Sequence, residues 1–138
     1  MKPLSALIIL IAGTLLQIHA MDGKTVSHLI TIPVIEGAGI YTSVQMIRTG
    51  QANSTAAAIT NLALIGVDAG IGAYTLFGKP DNYGTLRMVH RIAGMVTGAA
   101  AIWLTTSAWL NSDMKTVGRG VSTGYSVMTV VPVILFSF

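Results

Sequence analysis

The side chains of this sequence that could do chemistry are three histidines and two carboxylates, each in or beside a long apolar stretch. The histidines are His19, His28 and His90, and the carboxylates are Glu36 and Asp68. Imidazole is a common ligand of haem iron and other metals, whereas a carboxylate inside an apolar helix can hold a proton or a cation. The chain has no cysteine, which excludes disulfides, iron–sulfur clusters, thiolate zinc sites and c-type haem attachment.

His90 stands at the head of a predicted helix face that is made of small side chains. At 3.6 residues per turn, Gly94 and Gly98 fall on that face, and bulky side chains fall on the opposite one. A porphyrin needs such a groove, because its flat macrocycle must approach the backbone of the helix that donates the axial imidazole. Arg87 and Arg91 flank His90 and could pair with haem propionates. These five residues form a predicted haem-binding site.

His28 is the expected second axial ligand. Short connections make consecutive helices antiparallel neighbours, which places all three histidines near the same membrane face. We therefore expect His28 and His90 to hold one haem b, with His19 as a substitute ligand. The same residues also have a purely structural interpretation. Gly94-x-x-x-Gly98 is an ordinary motif for close helix packing in membranes, and a histidine beside arginines can contact lipid headgroups.

The segment Arg87-Met88-Val89-His90-Arg91-Ile92-Ala93-Gly94 resembles the His-Arg-x-x-Gly opening of haem-bearing helices in small membrane b-type cytochromes, the cytochrome b561-like four-helix group. The resemblance covers one helix. It implies bis-histidine haem and electron transfer within the membrane. With three histidines predicted at one face, at most one bis-histidine haem is possible, so electron transfer across the bilayer would need a partner centre.

Glu36 and Asp68 lie mid-way along two neighbouring predicted helices, and Asn61 shares the helix face of Asp68 one heptad earlier. Intramembrane carboxylates usually face the bundle interior and are candidates for function. Two carboxylates that meet there would share a proton or bind a cation, so these residues could form a proton relay or a quinone site. Alternatively, they could join helices by hydrogen bonds or form a salt bridge to a partner subunit.

The composition indicates that membrane helices position these residues. Of the 138 residues, 52% are hydrophobic and 9% are charged, and the mean hydropathy is +0.69; a soluble domain has about 25% charged residues. We predict an all-α integral membrane helical bundle, a single domain over 1–138, in a membrane of the bacterial inner (cytoplasmic) type. No basic run points to nucleic acid.

Five apolar stretches are long enough, or nearly so, to span a bilayer. The predicted spans are 4–20, 26–47, 54–77, 84–110 and 120–138. The first also resembles a signal peptide that is cleaved after Ala20, which would leave four spans.

The function that we expect is that of a small b-type cytochrome or cytochrome-like subunit. It would pass electrons between a quinone or redox partner and a partner at one membrane face, and would act in electron transfer rather than as an enzyme on its own. The alternative is a non-catalytic accessory subunit of a larger membrane complex, in which the buried acids and glycine faces serve helix packing. A small carrier or channel is less favoured, because the inverted repeats of transporters are not evident.

Overall fold

The computed structural model of the chain describes residues 23–78 and 81–136, and the side chains of residues 30–78 and 81–131. These residues form helices joined by short turns. The helices are α1 (Gly23–Thr49), α2 (Ala52–Phe77), α3 (Tyr83–Leu110) and α4 (Thr116–Phe136). The prediction of an all-helical chain is confirmed, and the helices begin and end within four residues of the predicted stretches.

Three helical segments are long and apolar enough to cross a membrane: Ile30–Thr49, Ala52–Phe77 and Tyr83–Leu110. This is compatible with a lipid bilayer as the solvent. The predicted fifth span corresponds to α4. The predicted span 4–20 lies outside the described residues, which contain four helices. The count of five spans is therefore not confirmed.

The chain divides into two compact units at Val34 and Ile35, within α1. Of the first unit, the structure describes the beginning of α1. The second unit, Ile35–Phe138, contains the rest of α1 together with α2, α3 and α4. Every contact described below belongs to the second unit.

The helices of the second unit pack through small side chains. Ala57 and Ala58 of α2 and Ala101 and Ala108 of α3 are completely buried. Most large apolar side chains point outward instead; Leu110, for example, is 81% exposed. Small residues allow helix backbones to approach closely. In a membrane, where the hydrophobic effect does not drive helices together, such close packing is a main source of helix association. This distribution suits a helical bundle in an apolar solvent.

Polar side chains recur every seven residues along the inward face of α2. They are Ser54, Asn61, Asp68 and Thr75, and we call this row the polar seam. Seven residues are close to two helical turns, so these side chains share one face and are about 10.5 Å apart along the axis. The polar seam places the only carboxylate of α2 in the interior of the bundle.

Candidate functional site

The central feature of the site is a contact between Asp68 of α2 and His90 of α3. Nδ1 of His90 lies 2.9 Å from Oδ1 of Asp68, and both atoms are buried. The two side chains are 27% and 16% exposed, respectively. A buried carboxylate is costly unless a donor or an opposite charge accompanies it. The imidazole of His90 fills that role for Asp68.

The α2–α3 hairpin explains why these two residues meet. Asp68 lies nine residues before the end of α2 at Phe77, and His90 lies seven residues after the start of α3 at Tyr83. At 1.5 Å per residue, the two are about 14 and about 11 Å from the connecting turn. Antiparallel helices joined by a short turn therefore bring both side chains to the same depth.

Gly72 provides the space that the imidazole occupies. It lies four residues after Asp68, on the same face of α2. A Cβ at Gly72 would come within 3.1 Å of Cε1 of His90 and 3.6 Å of both ring nitrogens. The absence of a side chain at Gly72 thus lets the ring lie against α2 beside the carboxylate.

Glu36 of α1 is the third ionisable group of the site. Its side chain is partly buried, and it interacts electrostatically with both Asp68 and His90. This interaction is compatible with the expected proximity of the two carboxylates, which stays a prediction. We call Glu36, Asp68 and His90 the acid–base cluster.

A second polar group adjoins the acid–base cluster. The hydroxyl of Tyr125 in α4 donates to Oδ1 of Asn61 at 2.9 Å, and Nδ2 of Asn61 donates to Oγ of Ser43 at 3.2 Å. All three side chains are almost completely buried. Tyr125 also interacts electrostatically with Glu36 and Asp68. Asn61 therefore joins α1, α2 and α4 about two helical turns from Asp68.

The groove predicted beneath His90 is largely filled by α4. The position of a Cβ at Gly98 is 3.8 Å from Val130, and Oγ of Ser126 donates to the carbonyl of Ala101 at 2.6 Å. Thr105 donates to the carbonyl of Ser122 at 2.7 Å. From Gly98 onward, the small face of α3 is thus a helix–helix contact with α4.

The part of α3 nearest His90 is more open. No described atom lies within 4 Å of the position of a Cβ at Gly94. Oγ1 of Thr97 is buried and has no hydrogen-bond partner among the described residues. Arg87 and Arg91 are both exposed. The open part of this face of α3 is therefore limited to the turn that follows His90.

The other predicted ligands lie outside the side chains that the structure describes. His19 lies outside the described residues, and His28 belongs to α1 but its side chain is not described. The predicted pairing of His28 with His90 therefore stays a prediction. Within the part of the chain that the structure describes, no group of three or more histidine or acidic side chains could hold a metal ion.

Sequence reasoning missed Ser43 and Tyr125, and it assigned Asp68 and His90 to separate sites. It placed Gly72 on the helix face of Asp68 but did not recognise its contact with His90. Asp68 and His90 lie at similar distances from the α2–α3 turn, and this similarity could have predicted their contact. Nothing in the sequence indicates which of four tyrosines is buried. Comparisons with protein-family models, curated proteins and solved structures give no match to this chain. The resemblance to b-type cytochromes therefore stays a prediction.

Proposed function

We propose that this chain is an integral membrane subunit that binds and transfers protons at the acid–base cluster, for a redox or transport partner in the same membrane. The observation that carries the proposal is the buried contact between Asp68 and His90, with Glu36 in electrostatic range. Ionisable side chains are rare inside membrane helices and usually mark proton or ion pathways.

The net charge of the acid–base cluster explains how it would exchange protons. With Glu36 and Asp68 ionised and His90 protonated, its net charge is −1. One further proton makes the cluster neutral, which a low-dielectric interior favours strongly over a net charge. Because three helices contribute one group each, a small movement of any helix changes the distances between groups. Such movements would change the free energy of the state with net charge −1, and the cluster would then take up or release this proton.

Infrared spectroscopy tests this proposal directly. The purified protein in nanodiscs is titrated, and the C=O stretch of protonated carboxyl groups is followed in water and in deuterium oxide. Asp68→Asn and Glu36→Gln are each expected to change the amplitude and midpoint of that band. Asp81→Asn, at an exposed carboxylate of the α2–α3 turn, serves as the matched control. If Asp68→Asn and Glu36→Gln change the band no more than Asp81→Asn does, the proton-transfer proposal is wrong.

A small b-type cytochrome is the second candidate, and one observation favours it. Histidines that bind metals usually engage a carboxylate or carbonyl through their other ring nitrogen, and Nδ1 of His90 faces Asp68 in this way. His90 and His28 would then be the axial ligands of one haem b, and Arg87 and Arg91 the propionate partners. The haem would carry an electron between a quinone or redox protein and a partner at that face. The filling of the groove by α4 beyond Gly98 counts against this candidate.

An absorption spectrum separates the two candidates. Haem gives a Soret band and, after reduction with dithionite, a sharp α-band; His90→Ala should remove both. Colourless protein purified from haem-supplied cells would eliminate the cytochrome and leave the proton site. If neither haem nor a titrating cluster is found, the remaining function is that of an accessory subunit, whose acids and small-residue faces hold helices together.

A further inference from the structure

A cavity of about 390 Å³ lies at the other end of the bundle, far from His90 along α3. Its walls come from the last turns of α1 and from the α3–α4 turn with the start of α4. The polar residues among them are Tyr41, Gln45, Arg48, Thr49, Asp113 and Lys115. The cavity therefore opens where helices end, which for a membrane bundle is the headgroup region.

The two cations of this cavity, Arg48 and Lys115, have no anionic partner among the described residues. Neither Arg48 nor Lys115 forms an ion pair or a side-chain hydrogen bond with any residue that the structure describes. The one carboxylate in the wall, Asp113, accepts a hydrogen bond from Nε2 of Gln51 at 3.0 Å. The guanidinium and the ammonium group can only donate. A ligand that satisfies both must carry negative charge and several acceptor oxygens.

Apolar side chains beside the cations distinguish a lipid from a small anion. Tyr41 and Val117 line the cavity and are 43% and 69% exposed. Arg48 follows Ile47, which is 37% exposed. A phosphate ester with acyl chains would place its headgroup between the cations and its chains along these apolar side chains. Basic pockets between membrane helices bind anionic headgroups in this way.

We propose that this cavity is a binding site for the phosphate headgroup of an anionic phospholipid. Arg48 and Lys115 bind the phosphate oxygens, and Gln45 and Tyr41 add uncharged donors. The proposal does not depend on the acid–base cluster. It also assigns the α3–α4 turn to a leaflet that contains anionic lipid.

Retention of defined lipids tests the site. The delipidated protein in detergent is incubated with phosphatidylglycerol or with phosphatidylcholine, and bound lipid is counted by native mass spectrometry. Phosphatidylglycerol is expected to bind and to raise the unfolding temperature, whereas phosphatidylcholine is not. Combining Arg48→Gln with Lys115→Gln should weaken phosphatidylglycerol binding about tenfold or more, because both cations that attract the anionic headgroup are then lost. Combining Arg48→Lys with Lys115→Arg should preserve it.

The control removes the same charge at the opposite end of the bundle, by combining Arg87→Gln with Arg91→Gln. This control should retain the lipid. Equal loss in both double variants would show general charge attraction and overturn the proposal. A rise in unfolding temperature with inorganic phosphate alone, equal to that with phosphatidylglycerol, would identify the free anion as the ligand and overturn the lipid assignment. Unchanged binding in the Arg48 and Lys115 double variant would also overturn it.

Discussion

The imidazole of His90 lies in the space left by the missing side chain of Gly72. The position of a Cβ at Gly72 is 3.1 Å from Cε1 of His90, so this glycine sets how closely the ring can approach α2. Because Asp68 is one turn earlier on the same face, the approach also sets the distance of 2.9 Å between Nδ1 and the carboxylate. A glycine thereby positions an ionisable pair.

Gly72→Ala is expected to displace the ring of His90 by a few tenths of an ångström and to weaken its contact with Asp68. We expect a loss of about 1 kcal/mol in the free energy of unfolding, at the low end of overpacking effects. The measurement is unfolding by sodium dodecyl sulfate in mixed micelles. Gly70→Ala is the control, because no described atom lies within 4 Å of a Cβ there. Equal stability of the two variants would show that Gly72 does not position the ring.

Gly39→Ala should be more damaging, because a Cβ there would lie 2.6 Å from Cζ of Tyr125 and 2.9 Å from Cδ1 of Ile65. Both neighbours belong to the buried core. We expect the free energy of unfolding to fall by about 1–3 kcal/mol, as in other overpacked interiors. Gly37→Ala, two residues earlier with no described atom within 4 Å, should be neutral or slightly stabilising in the same assay. A neutral Gly39→Ala would refute the close approach of α1 and α4.

Tyr125→Phe removes the hydroxyl that donates to Asn61. The buried amide oxygen would lose its partner, which costs about 1–3 kcal/mol. Asn61→Ala should cost at least as much, because Tyr125 and Ser43 then both lose their bonds. A double-mutant cycle between Tyr125→Phe and Asn61→Ala should give a coupling energy of about 1 kcal/mol, within the range for residues in contact. Additive effects would mean that the two side chains do not interact.

Asn111→Ala should loosen the end of the bundle that is distant from His90. Nδ2 of Asn111 donates to Oγ1 of Thr49 and to Oγ of Ser54, both at 2.8 Å, and Oδ1 accepts from the backbone N–H of Asp113 at 3.0 Å. One buried amide thus connects the ends of α1 and α3 with the start of α2. We expect a loss of about 2–3 kcal/mol, in line with two or more unsatisfied groups. Ser112→Ala, an exposed neighbour, should change stability by less than about 0.5 kcal/mol.

The helices could be predicted because apolar length alone specifies them. Turn residues also mark their ends: Gly50 has a φ of 71°, a conformation that glycine adopts without strain, and it directly follows α1. The carboxylates were predictable as interior groups, since an acid inside an apolar helix avoids lipid.

What covers the small-residue face beneath His90 could not be predicted from the sequence, because such a face fits a porphyrin and a helix equally well. Hydrogen bonds from Ser126 and Thr105 decide in favour of α4. Hydroxyl side chains are frequent in any membrane helix, so the sequence does not indicate which of them form hydrogen bonds to another helix. The contact between Asp68 and His90 depends in turn on Gly72, whose role appears only once the two helices are packed.

The heptad spacing of Ser54, Asn61, Asp68 and Thr75 restricts which insertions and deletions α2 can accept during evolution. Deleting one residue from α2 would rotate everything beyond that point by about 100° and carry the carboxylate away from its imidazole. A change of seven residues would keep the face nearly unchanged but would shift the carboxylate by about 10.5 Å along the axis. The polar seam therefore fixes the axial register of α2 relative to the neighbouring helices.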